Sequence, residues 1–485
     1  MTDARVGPPQ ENVGPQDKVV PPEVVPQDAV LVLPSNGAFD SRAYRIARTL
    51  VERGHTVTIL ARLMGDVPAE ETHPLGYRIV RVPASSADGV PLQPLVRLGR
   101  VLVRRVYAWR TRTPYRPPEP PGRRPSSQPP DPTDPTAVPS PPSGGRGAGA
   151  GRASLPRRAF SGLVRRLAIP LTLRSHTKNA RAVAPAAAIY HGMAYMGIPI
   201  ALDLAKRHGG KAIYDARDIY LDARNLAKMR GPARWLIARG ERGWARRSAR
   251  VVTVNDAYAE VMAKRFGVEP LVVMNCSYRF TPAEPRERRF HDALGLPADR
   301  RIVLYHGGLF PHRGVEELIA AIPDVANATL VLMGYGILEP EFRARAAGPE
   351  LADKVRLLPA VPPDELLGWI ACADVVAMPI QPSTLNHRLT TPNKLFEAMA
   401  AGVPVLASDL PGMAAIVRAT GCGVLVDPTD VAAIAAGLRE ILDAPVEERT
   451  AMGRRGLDAA HETYNWERQV TRLLDEYGRL TGKPW

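Results

Sequence analysis

From Ala29 onward, short Val, Ile and Leu runs recur, each followed by a segment whose apolar residues repeat at helical spacing. In the first half the runs predict strands near Ala29–Leu33, Thr56–Ala61, Tyr77–Val82, Ala187–His191, Lys211–Asp215, Arg250–Val254 and Pro270–Met274. Phe280–Asp299 is charged and Pro-containing and reads as a link, and the pattern then restarts. The second half predicts strands near Arg301–His306, Thr329–Met333, Val355–Leu358, Asp374–Met378, Pro404–Ala407 and Gly423–Val426. Few of these runs alternate apolar with polar residues, as expected where helices cover both faces of a parallel sheet. The fold class that follows is α/β, two doubly wound parallel-sheet domains with a ligand crevice at the carboxyl ends of their strands.

The expected organisation is a disordered tail over 1–28 and a first domain over 29–285, interrupted by a flexible insertion at about 111–155. A linker over 286–299 leads to a second domain over 300–465, and a last helix and tail over 466–485 cross back to the first. A chain of 485 residues is too long for one core. Met1–Asp28 is polar and Pro-rich, without the apolar core of a signal peptide. Cys276, Cys372 and Cys422 lie far apart without metal-ligand spacing, which points to a reducing compartment, hence the cytoplasm.

Net charge is +15, and the stretch Arg97–Arg181 alone accounts for all of it, with 17 Arg and one Lys against Glu119, Asp131 and Asp134. Pro114–Pro142 holds 13 prolines and should be extended. On its flanks, Leu98, Val101, Leu102, Val106 and Trp109, and then Phe160, Leu163, Val164 and Leu167, make apolar helical faces beside arginines. Such helices suit an anionic membrane surface, here the inner face of the plasma membrane, or they pack on their own domain with arginines outward. Nucleic acid is not expected as a partner, because no pattern of stacking aromatics accompanies the charge.

Three loops at strand carboxyl ends carry candidate chemistry. The first, Pro34–Arg42, has Gly37 for a tight turn and Asp40 and Arg42 at a helix start facing the crevice. The second, His306–Gly314, has Gly307 and Gly308 for close backbone approach to an anion and Arg313 as a diphosphate clamp. The third is Pro392–Glu397, a helix opened by Pro-Asn and closed by Gly402, on which Lys394 and Glu397 share a face. A helix N-terminus with a lysine suits a diphosphate, and a carboxylate suits ribose hydroxyls; an ordinary surface salt bridge is the plain alternative.

The order Gly-Gly…Arg-Gly, Gly334-Tyr335-Gly336, then Pro392-Asn-Lys-Leu-Phe-Glu-Ala-Met-Ala-Ala-Gly-Val-Pro-Val resembles a GT-B fold glycosyltransferase of family 4. Asp40-Ser41-Arg42, Leu50–Thr58, Ile189-Tyr190-His191 and Ile213–Asp218 resemble the same family's first domain, so that the likeness covers about Ala29–Leu95 and Pro185–Leu480. The resemblance implies a retaining, metal-independent transferase that needs no cofactor. It would move a sugar from a nucleotide-diphosphate sugar, and the basic amphipathic flanks point to a cell-envelope glycan or lipid-linked saccharide as the acceptor. By similarity Glu397 takes the ribose, Arg313 and Lys394 the diphosphate, Gly307 and Gly308 the phosphate loop, and Gly334 and Gly336 lie by the base, with Asn393 beside them. His191 is the catalytic candidate of the first domain. Gly37, Asp40, Arg42, Asp215, Arg217, His387 and Arg388 would line the acceptor side or the cleft.

The departures concern the donor sugar. Where the family has a second glutamate, eight positions before Glu397, this chain has Leu389, flanked by His387 and Arg388. Gly307 and Gly308 stand where the family has a phosphate-loop arginine, and Arg217 where it often has histidine. No carboxylate presents itself as a covalent nucleophile, so a front-face route, with the leaving phosphate helping to deprotonate the acceptor, fits better. A nucleotide-sugar epimerase on the same fold and a non-catalytic scaffold are the competing expectations.

Overall fold

The computed structural model describes residues 26–38, 40–84 and 172–485. The tail, the insertion and its two basic flanks, Arg97–Arg110 and Arg157–Leu167, therefore lie outside the described residues, except for the last residues of the tail.

The first sheet runs β3-β4-β2-β1-β5-β6-β7-β8. Its strands are β1 (Gln27–Val32), β2 (Val57–Leu63), β3 (Glu70–Thr72), β4 (Arg78–Pro83), β5 (Ala187–Met193), β6 (Lys211–Asp215), β7 (Arg250–Thr253) and β8 (Leu271–Val272). All pairings are parallel except that of β3 with β4. The second sheet is wholly parallel in the order β11-β10-β9-β12-β13-β14. It comprises β9 (Arg301–Gly308), β10 (Ala328–Tyr335), β11 (Val355–Leu358), β12 (Val375–Met378), β13 (Val405–Ser408) and β14 (Gly423–Val426).

The continuous apolar runs have a direct cause in two-sided burial. Along β1, Ala29 and Leu31 pack into one core cluster, and Val30 and Val32 into another on the opposite face. In β9, Ile302 and Leu304 face one cluster and Val303 and Tyr305 the other. β3 escaped the sequence reading because Glu70-Glu71-Thr72 is a polar, largely exposed edge strand with no apolar signal. Between the sheets, Arg289–Leu294 forms a short helix, and its Phe290 is buried in the second domain's core.

Strand order reverses at β1/β5 and at β9/β12, which places a crevice at the carboxyl end of each sheet. The helix Ser41–Glu52 follows β1, with Asp40 as its N-cap accepting the Ala43 N–H at 3.1 Å. The helix Asn393–Ala400 follows the β12 loop and starts at Pro392. The last helix, Trp466–Thr481, packs Trp466, Val470, Leu473, Leu474 and Tyr477 into the first domain's core, each such side chain contributing about 1.5–3 kcal/mol.

Candidate functional site in the interdomain cleft

The helix Asn393–Ala400 brings its polar face to the end of β9. Phe396, Ala398, Met399 and Ala400 fill the second domain's core, which orients Lys394 and Glu397 toward the β9 loop. The Lys394 Nζ lies 3.4 Å from the centre of the Tyr305 ring, and the Tyr305 hydroxyl donates to the Gly308 carbonyl at 2.8 Å. Gly307 adopts φ +101, and a Cβ there would come within 3.3 Å of Lys394 Cε, so glycine serves both conformation and clearance. Gly334 meets a tighter limit, since a Cβ would stand 2.0 Å from the Gly307 carbonyl oxygen across the β9/β10 pairing.

Charge in this wall is poorly compensated. Burial, with Arg313 nearby, pushes the Lys394 ammonium well below its usual range, and Glu397 only partly offsets this. Among the described residues Arg313 makes no hydrogen bond and no ion pair. Burial raises the Glu397 carboxyl, against the pull of Arg45 and Lys394. Its closest side-chain nitrogens are Arg45 Nη2 and His306 Nδ1, each at 3.8 Å, too far for good hydrogen bonds. Burial and Lys394 lower His306 to about 3, so it is a neutral ring near neutral pH, and its buried Nε2 has no hydrogen-bond partner among the described residues. Burial, Arg313 and His312 lower His387 to about 4; its Nδ1 lies 2.9 Å from Ser383 Oγ. Arg388 is exposed.

The first domain's wall is different. Asp40 takes Arg217 in a two-pronged ion pair at 2.6 and 3.0 Å. Both line a cavity of about 340 Å³ together with Ser41, Asp218, Asn275 and Asn393. Gly37 turns the preceding loop at φ +83, against Ala61 and Leu33.

Arg42, Asp215 and His191, read from sequence as cleft residues, are all buried. Arg42 donates to Asp215 Oδ2 at 2.6 Å and to the Val273 carbonyl at 2.9 Å, and Asp215 Oδ2 also lies 3.0 Å from His191 Nε2. Burial alone would raise the Asp215 carboxyl, but Arg42, His191 and Arg217 hold it well below the usual carboxylate range. The other ring nitrogen of His191 lies 2.6 Å from the Tyr477 hydroxyl on the last helix. His191 has no exposed surface, so this network ties sheet to helix.

The two walls are joined. Asn393 accepts from Asn275 at 2.8 Å and donates to Ser41 Oγ at 3.4 Å. Asn386, from the short helix Leu385–Arg388 before Pro392, donates to Asp218 and accepts from the Ile219 N–H and the Tyr258 hydroxyl. Leu385 and Leu389 pack against the first domain's core, and Asn255 donates to the Leu389 carbonyl at 2.8 Å. Leu389 therefore turns toward the first domain.

Arg45, His306 and Asn275 had been assigned no role. His306 directly precedes the glycine pair, and Arg45 lies one turn beyond Ser41 on the helix that opens at Asp40; that adjacency was the available signal.

Residues 300–444 match the family model described as glycosyl transferases group 1. The chain is 32% identical over 223 residues to a D-inositol 3-phosphate glycosyltransferase of Thermobispora bispora, covering 43% of this chain and 49% of that one. It is 30% identical over 202 residues to a GDP-mannose-dependent alpha-(1-6)-phosphatidylinositol monomannoside mannosyltransferase of Mycolicibacterium smegmatis, covering 41% and 52%. The chain thus spans about half the length of the curated relatives it matches. Among solved structures, sucrose-phosphate synthase of Thermosynechococcus elongatus superposes with a TM-score of 0.63 at 18% identity, over 94% of this chain and 99% of that one. Anabaena HepE in complex with UDP and glucose superposes at 0.60 and 13% identity, over 93% and 100%. These likenesses show the fold, a two-domain GT-B arrangement.

Proposed function

We propose that this chain, whose residues 300–444 match the group 1 glycosyl transferases, moves a sugar from a nucleotide-diphosphate sugar to a glycan or lipid-linked acceptor. The observation that carries this reading is the pair of uncompensated cations, Arg313 and Lys394, beside a poorly satisfied Glu397. An anion between the two cations would relieve their repulsion, and ribose hydroxyls would supply the hydrogen bonds that Glu397 lacks. The relatives' names fit a nucleotide-sugar donor and an inositol-containing or lipid acceptor.

In this reading Arg313, Lys394 and the Gly307–Gly308 backbone stabilise the negative charge that grows on the leaving diphosphate. Transfer proceeds with retention by the front face, without a metal ion. Asp40, Ser41 and Arg217 contact the acceptor in the first wall's cavity. His191 acts as a positioning residue through Asp215 and Tyr477.

The deciding experiment is a thermal-shift screen of UDP, GDP, ADP, CMP and dTDP against wild type and Glu397→Ala. The expected result is stabilisation of wild type by one nucleotide and loss of that effect in the variant. Stabilisation by none would overturn the reading in favour of a scaffold. With the nucleotide known, the anomeric configuration of the product tests retention, and turnover in chelator tests metal independence. Turnover without acceptor would identify an epimerase.

A further inference from the structure

The helix Gly231–Arg247 is held to the first domain by its inner face. Ala245 and Trp244 pack on the core, and Glu241, the helix's one acid, is buried and accepts from the Tyr214 hydroxyl at 2.6 Å. Its outer face combines exposed apolar side chains with arginines. Trp235 and Leu236 are 60% and 61% exposed, among the most exposed large apolar side chains described. Arg239 and Arg242 follow Trp235 at helical spacing and share its stripe, with the Arg239 guanidinium 5.7 Å from the indole centre. Neither arginine has an acidic partner among the described residues, nor does the exposed Arg230 just before the helix.

The placement of this helix matters as much as its composition. Arg234, next to Trp235, donates to the Leu221 carbonyl and pairs with Asp222 at 2.8 Å. That segment continues directly from Arg217 and Asp218, which line the cleft cavity. The end of the helix that carries the exposed indole therefore stands beside the mouth of the first wall.

We infer that this face docks on an anionic lipid bilayer. A bilayer satisfies both halves of the stripe together: Trp235 and Leu236 enter the interfacial layer while headgroup phosphates meet the arginines. Like charge disfavours the chain's own Arg97–Arg181 stretch, itself at +15, as the cover of this face. Single-stranded nucleic acid is disfavoured because only one ring on the helix is exposed, where stacking uses several. Docking here would present a lipid-linked acceptor at the cleft mouth, and it stands independently of the donor reading.

The test uses the full chain carrying Trp235→Cys labelled with an environment-sensitive fluorophore, and Val446→Cys, 58% exposed on the other domain, as the control. The native cysteines are all buried and do not compete for label. Vesicles of phosphatidylcholine with phosphatidylglycerol are expected to blue-shift the label at 235 and not at 446, with reversal by high salt and no effect from pure phosphatidylcholine. Trp235→Ser with Leu236→Ser is expected to weaken co-sedimentation about tenfold or more. Recruitment to vesicles without a shift at 235 would overturn the proposal, because the basic stretch elsewhere in the chain would then be the anchor. Absence of recruitment at low salt would overturn it as well.

Discussion

On one wall of the cleft Asp40 closes on Arg217, and the buried Asp215 closes on Arg42 and His191 at distances of 2.6–3.0 Å. On the other wall Arg313 has no partner among the described residues, Lys394 rests on an aromatic ring, and Glu397 holds its neighbours only at 3.8 Å. The two walls have similar inventories, and the first is the better paired, although Arg42 Nη2 and Asp215 Oδ1 find no hydrogen-bond partner among the described residues. A paired buried ion belongs to the fold, because removing its partner leaves a desolvated charge. An unpaired one costs stability in the empty protein, and that cost is returned when a ligand of opposite charge arrives.

The comparison breaks most visibly in stability. Arg42→Ala strands Asp215 and is expected to destabilise the fold by about 3–5 kcal/mol, read by denaturant unfolding. Arg313→Ala is expected to leave unfolding unchanged or slightly later, and a loss as large as that for Arg42 would erase the distinction. The order then inverts for turnover. Arg313→Ala and Glu397→Ala are each expected to lower transfer about 10²–10³-fold while remaining folded, and unchanged turnover in either would remove that residue from the site.

A subtler test concerns protons. Because Lys394 lies well below its usual range in the empty site, diphosphate binding should raise it and draw in a proton. Calorimetry of nucleoside diphosphate binding in buffers of different ionisation heat should show proton uptake that grows as pH rises toward the ordinary lysine range, absent in Lys394→Met. The smallest effect is on acid stability. His306 and His387 are lowered from 6.5 to about 3 and about 4, so the unfolded chain binds more protons as pH falls below about 6.5. Stability contributed by their neutral forms is present above that value and lost progressively down to about pH 4 for His387 and about pH 3 for His306, and His387→Gln should flatten the slope of the unfolding midpoint between about pH 6.5 and 4.

The fold was largely legible because two-sided burial writes each central strand as an unbroken apolar run. The polar edge strand Glu70–Thr72 lacks that signature. In the second wall, Lys394 and Glu397 were legible because their helix is amphipathic and its start is marked by Pro392. In the first wall, sequence located Arg42, Asp215 and His191 near strand ends but gave no depth. Whether a side chain at a strand end points into a cleft or under it depends on partners far along the chain. Tyr477, 286 residues from His191, is such a partner. Arg45 illustrates the converse, since its neighbour Glu397 comes from the other domain.

The last helix has a consequence for biosynthesis. Trp466, Val470, Leu473, Leu474 and Tyr477 complete an apolar face of the first domain, and Tyr477 closes its buried polar network. A ribosome adding about 5–20 residues per second reaches them on the order of tens of seconds after β6 has emerged. Until then the earlier domain waits with an open hydrophobic face, while the later one already holds its own core. Released chains that end at Asn465 are thus expected to be cleaved by protease within the first sheet and protected within the second; equal protection of both would show that the first domain closes without its final helix.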